Sequence, residues 1–168
     1  VSRAIGDEQT QNNDKRTLPI HIAAAYGNSE IIQLLLEACP ETISQKDKDD
    51  SLPLHRAIIA GNELCVKLLV DKYPEAVRVK GQDGSLPLHV AAEHGNVYAM
   101  RELGVLLDSI GDSTVGFAFI RKAAEHGLAL AQIDLGDNLQ ARGEFRDALH
   151  QYRLACIQEC KLAQHRLG

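Results

Sequence analysis

Tryptophan is absent from this 168-residue chain, methionine occurs once, and aromatic residues make up only 4% of it. With Ala, Leu and Gly plentiful, the shortage points to small-residue helices packed closely in many similar layers. Clustered Lys and Arg are also lacking and the net charge is −5. That excludes general binding to nucleic acid or anionic membranes, which needs concentrated positive charge. No apolar run approaches the roughly 20 residues of a membrane helix, and no basic stretch followed by an apolar segment marks a signal peptide. The four cysteines, Cys39, Cys65, Cys156 and Cys160, are spaced neither as a disulfide framework nor as paired zinc knuckles. They point to an intracellular, cytoplasmic protein. The start at Val1 without a Met reads as a fragment or a processed form. Phosphate-cradling glycine loops, nucleophile elbows and HExxH motifs are all missing, so no catalytic residue, cofactor or metal is assigned.

What the chain does have is repetition. Leu18-Pro19-Ile20-His21, Leu52-Pro53-Leu54-His55 and Leu86-Pro87-Leu88-His89 recur every 34 residues. Each is followed in register by Ala (23, 57, 91) and by Gly-Asn (27–28, 61–62, 95–96). Proline suits the first turn of a helix, where its missing N–H has no partner to lose. Glycine then stops the helix in a left-handed conformation and Asn can cap the next one. That second helix is amphipathic, with Ile31, Ile32, Leu34, Leu35 and Leu36 in one unit and Leu64, Val66, Leu68, Leu69 and Val70 in the next. Polar linkers follow, one of them carrying the tight-turn pair Asp83-Gly84. A single unit cannot bury its apolar face, so the units must stack.

The pattern resembles the ankyrin repeat, T-P-L-H-x-A-A-x-x-G-H, over about residues 13–104. The family's Thr is replaced by Leu18, Leu52 and Leu86, and its turn Gly by Arg16 and Asp50 in the first two units. The expected fold is all-α: a solenoid of stacked helix-turn-helix repeats with short β-turn fingers. After residue 98 the period becomes 32: Ala99-x-x-x-Leu103-Gly104, Ala131-x-x-x-Leu135-Gly136 and Ala163-x-x-x-Leu167-Gly168. Together with Lys122-Ala123-Ala124-Glu125-His126-Gly127, this looks like the SEL-one-like repeat, a relative of the tetratricopeptide repeat, over residues 89–168. The expected division is a disordered or loosely docked leader at 1–12, three ankyrin units at 13–98 starting near 17, 51 and 85, and SEL-one-like repeats at 99–168 with the last one truncated. Ala91-Ala92-Glu93-His94-Gly95 reappears as residues 123–127, so the helix beginning near Asn96 can belong to both arrays. One continuous rod is expected.

The histidines of the 34-residue repeat invite a metal reading. Stacked helices stand about 8–10 Å apart whereas zinc ligands lie about 2 Å from one ion, so the three cannot share a metal. The ankyrin resemblance gives them a structural role on the turn backbone. Cys156 and Cys160, with His165 a turn further on, read as packing residues. His94 and His126 fall at helix ends, where they complement the dipole. Val1-Ser2-Arg3-Ala4-Ile5-Gly6-Asp7 is similar to a short motif of metal-dependent serine/threonine phosphatases in which the Asp binds metal, but nothing else of that fold is present.

The ankyrin resemblance implies a protein partner held on the concave face. The finger tips there would be Lys48, Asp49, Ser51, Gln82, Asp83 and Ser85. The groove-facing positions of the inner helices would be Ala25, Tyr26, Arg56, Ile59, Ala60, Glu93 and His94. Tyr26, Arg56 and Ile59 are expected to matter most, since hot spots favour Tyr and Arg. The expected function is a monomeric, non-catalytic interaction scaffold. The alternative is the regulatory or targeting region of a larger enzyme such as the phosphatase that the leader resembles.

Overall fold

The computed structural model describes the backbone of residues 17–167 and the side chains of residues 17–158. The Val1–Asp7 motif and the rest of the leader lie outside the described residues, as do the side chains of Cys160 and His165. The described residues form nine α-helices and no strand. In chain order they are α1 (Pro19–Tyr26), α2 (Ser29–Ala38), α3 (Pro53–Ile59), α4 (Glu63–Lys72), α5 (Pro87–Glu93), α6 (Val97–Ser109), α7 (Ser113–Glu125), α8 (Ala129–Ala141) and α9 (Phe145–Leu167).

Each 34-residue unit opens where proline demands it. Leu18, Leu52 and Leu86 are held extended ahead of the proline, and the proline is the first helical residue. At the far end of α1, Gly27 takes a left-handed conformation (φ 77°) and its N–H closes on the Ala23 carbonyl. The following asparagine works in two directions. Asn28 and Asn96 accept from the N–H groups of Ile31 and Ala99, capping the outer helices. Asn62 Nδ2 reaches back to the Ala24 and Ala25 carbonyls at 2.9 and 3.0 Å, and Asn96 Nδ2 to the Ile58 carbonyl at 3.0 Å. These carbonyls close the inner helix of the preceding unit, so each unit is stitched to the one before it.

The fingers are tight turns without strands. Asp47 N–H donates to the Ser51 carbonyl, and Gly81 N–H to the Ser85 carbonyl, both at 2.9 Å. Asp50 stands in register with Gly84 and both are left-handed, with φ of 56° and 72°. Aspartate is one of the few side chains that adopts this region readily, which explains how the second unit keeps its turn without the glycine.

The core is one continuous cluster running from Ile20 to Ala148, made largely of Ala, Leu, Ile and Val. The outer face of α2 is only half covered. Ile31 and Leu34 are exposed, whereas Cys65, in register with Ile31 one unit later, is fully buried. Cys156 is also exposed, which corrects its reading as a packing residue. Its neighbour Ala155 takes the buried position instead.

In the third unit the pattern departs. The first two outer helices end in short 3-10 turns, Pro40–Ser44 and Pro74–Arg78; α6 instead continues to Ser109 and turns directly into α7. It packs on α4 and α5 on one side and on α7 on the other, and the earlier boundary between residues 98 and 99 falls inside it. The α6–α7 crossing is a backbone contact made at Gly104 and Gly116. A Cβ on Gly116 would overlap the Gly104 carbonyl and lie 2.8 Å from the Asp108 nitrogen. Arg101 then ties α6 to α8 by donating to Asp134 at 2.5 Å.

Candidate protein-binding groove

The repeating histidines carry the fingers. In each unit the ring Nδ1 accepts from the backbone N–H three residues earlier: His21 from Leu18 and His55 from Leu52 at 3.2 Å, and His89 from Leu86 at 3.4 Å. The other ring nitrogen faces the next finger, where His21 Nε2 lies 3.1 Å from the Gln45 carbonyl. His55 is 2% exposed and its Nε2 makes no hydrogen bond of normal geometry among the described residues. Gly81 lines that side, and a Cβ there would sit 3.3 Å from the ring. His89 is exposed, because the chain passes from α6 to α7 where a further finger would cover it. No group of three or more His, Cys, Asp or Glu among the described residues is placed to hold a metal.

Burial lowers the pKa of both covered histidines. For His55 it is pushed down to about 4, first by loss of water and then by the positive charge of Lys46, with the Ser85 carbonyl and Asp47 opposing. For His21 burial again leads, against Asp47 and the Gln45 carbonyl.

The second finger has a device that the third lacks. Asp47 is fully buried and its Oδ1 accepts from the N–H groups of Asp49 and Ser51 at 2.9 and 3.0 Å. Its Oδ2 takes the Arg56 guanidinium at 2.6 Å, and Arg56 also pairs with Asp49. Burial pushes the Asp47 pKa up, but the Ser51 N–H, Arg56 and the Asp49 N–H outweigh it and hold the carboxyl below its usual range. In the third unit the corresponding residues are Gly81 and Val90, so this pairing belongs to one finger alone.

Arg56, expected to meet a partner, is therefore turned toward its own finger. Breaking a buried ion pair commonly costs about 3–5 kcal/mol. Here Arg56 keeps some exposure and Asp47 would retain two N–H donors, so Arg56→Ala should cost about 2 kcal/mol. In a chain this size that is a drop of roughly 4–8 °C in melting midpoint, read by circular dichroism. An unchanged midpoint would mean that the pair does not hold the finger.

Nine of the thirteen groove candidates line one cleft of about 190 Å³ between the second and third units: Asp49, Ser51, Arg56, Ile59, Gln82, Asp83, Ser85, Glu93 and His94. His55, Gly81 and Val90 complete it. Ala25, Tyr26, Lys48 and Ala60 lie outside the cleft, all four exposed. Tyr26 is 85% exposed and Ile59 44%. Ile22, half exposed on the same inner-helix register as Arg56, is not among the thirteen, although the 34-residue register marks its position.

The family model for "Ankyrin repeats (3 copies)" matches residues 2–80 and 20–115. The chain belongs to the ankyrin repeat family. The ankyrin match spans α1 to α6 and ends just inside α7, in keeping with the histidine–finger contacts and the asparagine stitches that repeat through α1–α6. No curated protein matches the chain. Ankyrin repeats are in general protein–protein interaction modules. No helix among the described residues is long and apolar enough to cross a membrane.

Proposed function

We propose that the chain is a non-catalytic, monomeric interaction scaffold of the cytoplasm, taking a protein partner on the groove formed by the ankyrin fingers and the inner helices α1, α3 and α5. The observation that carries this reading is the exposure of apolar side chains, Ile22, Tyr26 and Ile59, along the inner helices, beside a cleft lined by the finger tips. The core does not use these side chains. A partner could desolvate them together, which is how interface hot spots form.

Residues 99–168 extend the scaffold as SEL-one-like hairpins. This assignment is supported by the 32-residue repeat and by the Ala123–Gly127 signature at the end of α7, since the ankyrin match stops at residue 115. The alternative reading, a targeting region of a larger phosphatase-like enzyme, is supported only by the Val1–Asp7 motif.

Because Arg56 braces its own finger, the test is Tyr26→Ala combined with Ile59→Ala, two side chains whose removal leaves the core intact. Affinity purification with wild type and double variant side by side should show the partners retained by the wild type falling at least about tenfold, the loss expected for hot-spot residues, with the melting midpoint unmoved. If the same proteins are retained at the same yield, the groove reading fails.

A further inference from the structure

A cleft of about 600 Å³ lies outside the ankyrin groove and shares no residue with it. It is bounded by α7 and α9, with α8 packed against both. Leu135 and Leu139 of α8 line it, and so does Gln132, which is 3% exposed. The Gln132 amide is oriented by its own chemistry. Nε2 donates to the Ala124 carbonyl; the flipped amide would set two oxygens against each other. Oε1 is therefore directed away from α7's backbone and is buried with no partner among the described residues. A buried carbonyl oxygen of this kind calls for a donor.

The surrounding charge selects the donor. Glu125, Glu144 and Asp147 border the cleft and form no ion pair among the described residues. The basic side chains of the lining are His150 and Arg121; the Arg121 guanidinium lies 4.7 Å from the Phe117 ring centre, with Arg142 over the same ring at 3.8 Å. Three carboxylates, one guanidinium and one imidazole line the cleft around an unfilled acceptor. We propose that this cleft is a second binding site, for a peptide segment presenting a lysine or arginine side chain that donates to Gln132 Oε1 between the three carboxylates, with Leu135 and Leu139 covering the aliphatic stem of the basic side chain.

The test begins with a degenerate peptide library panned on the full chain. The selected peptides are then measured by fluorescence anisotropy on wild type, on Glu125→Lys/Asp147→Lys and on Gln132→Leu, with spermidine as competitor. Selected peptides should be rich in Lys or Arg. Affinity should fall about tenfold or more in the charge-reversed double variant and roughly fivefold in Gln132→Leu, while Tyr26→Ala/Ile59→Ala leaves it unchanged. The charge-reversed positions are exposed, so that variant decides the matter even if Gln132→Leu fails to fold. Peptides without basic residues, affinities untouched by charge reversal, peptides lost with the ankyrin groove variant, or spermidine displacing every peptide at equal concentration would each overturn the assignment. The groove reading is unaffected by any of these results except loss with its own variant.

Discussion

Gly116→Ala should lower the melting midpoint by about 6–12 °C, the equivalent of roughly 3 kcal/mol in a chain of this length. Alanine is ordinarily the better helix former, by close to 1 kcal/mol, so propensity alone predicts the opposite sign. Geometry decides against it. The added methyl would press on the Gly104 carbonyl and the Asp108 nitrogen, which are backbone atoms that cannot rotate aside, and α7 would have to lift from α6. Thermal melting followed by circular dichroism measures the change. A midpoint equal to or above wild type would show that the helices can separate at little cost. By contrast, a Cβ at Gly136 would meet the ring of Tyr152, a partly exposed side chain and not backbone, so Gly136→Ala should be milder.

Acidification from pH 7 to 4.5 should remove roughly 2–3 kcal/mol of stability through His55 alone. Its pKa is about 4 in the folded protein and about 6.5 in an unfolded chain. Above pH 6.5 both states are neutral at this ring and the full stability is present. Below it the unfolded chain takes up a proton that the folded one refuses, so stability falls as pH drops toward 4. His21, shifted in the same direction, adds to the slope. Asp47 does not interfere, because its depressed carboxyl loses its contribution only at still lower pH. Urea unfolding at half-unit pH intervals reads the slope directly. His55→Gln should be less stable at pH 7 yet distinctly flatter between 6.5 and 4.5; an unaltered slope would place the titration elsewhere.

The backbone plan was legible because repetition announces it. Pro19, Pro53 and Pro87 start helices where the register puts them, and Gly27 ends one. The groove was partly legible for the same reason, since finger-tip and inner-helix positions follow from the period. What the repeat cannot reveal is whatever a single unit does differently. Asp47 and Arg56 have no counterparts 34 residues away, so their pairing left no periodic trace, and a buried brace looked like an exposed contact. Cys156 was misjudged because packing was inferred from residue type, whereas burial on α9 falls to Ala155. The close approach at Gly104 was marked by the 32-residue pattern, but its partner Gly116 has Ala148 in its place 32 residues on, so no repeated glycine singled it out.

Because α6 serves the helices on both sides of it, the protein can be divided in fewer ways than its two periods imply. Cutting after residue 98 would strip away Ala99, Met100 and Leu103, which are wholly enclosed, and open the third ankyrin unit; cutting after Ser109 would leave the remaining hairpins without their first wall. Neither array can be lifted out intact while the other is left whole, so exchange of modules between relatives must carry the seam along with whichever side it moves.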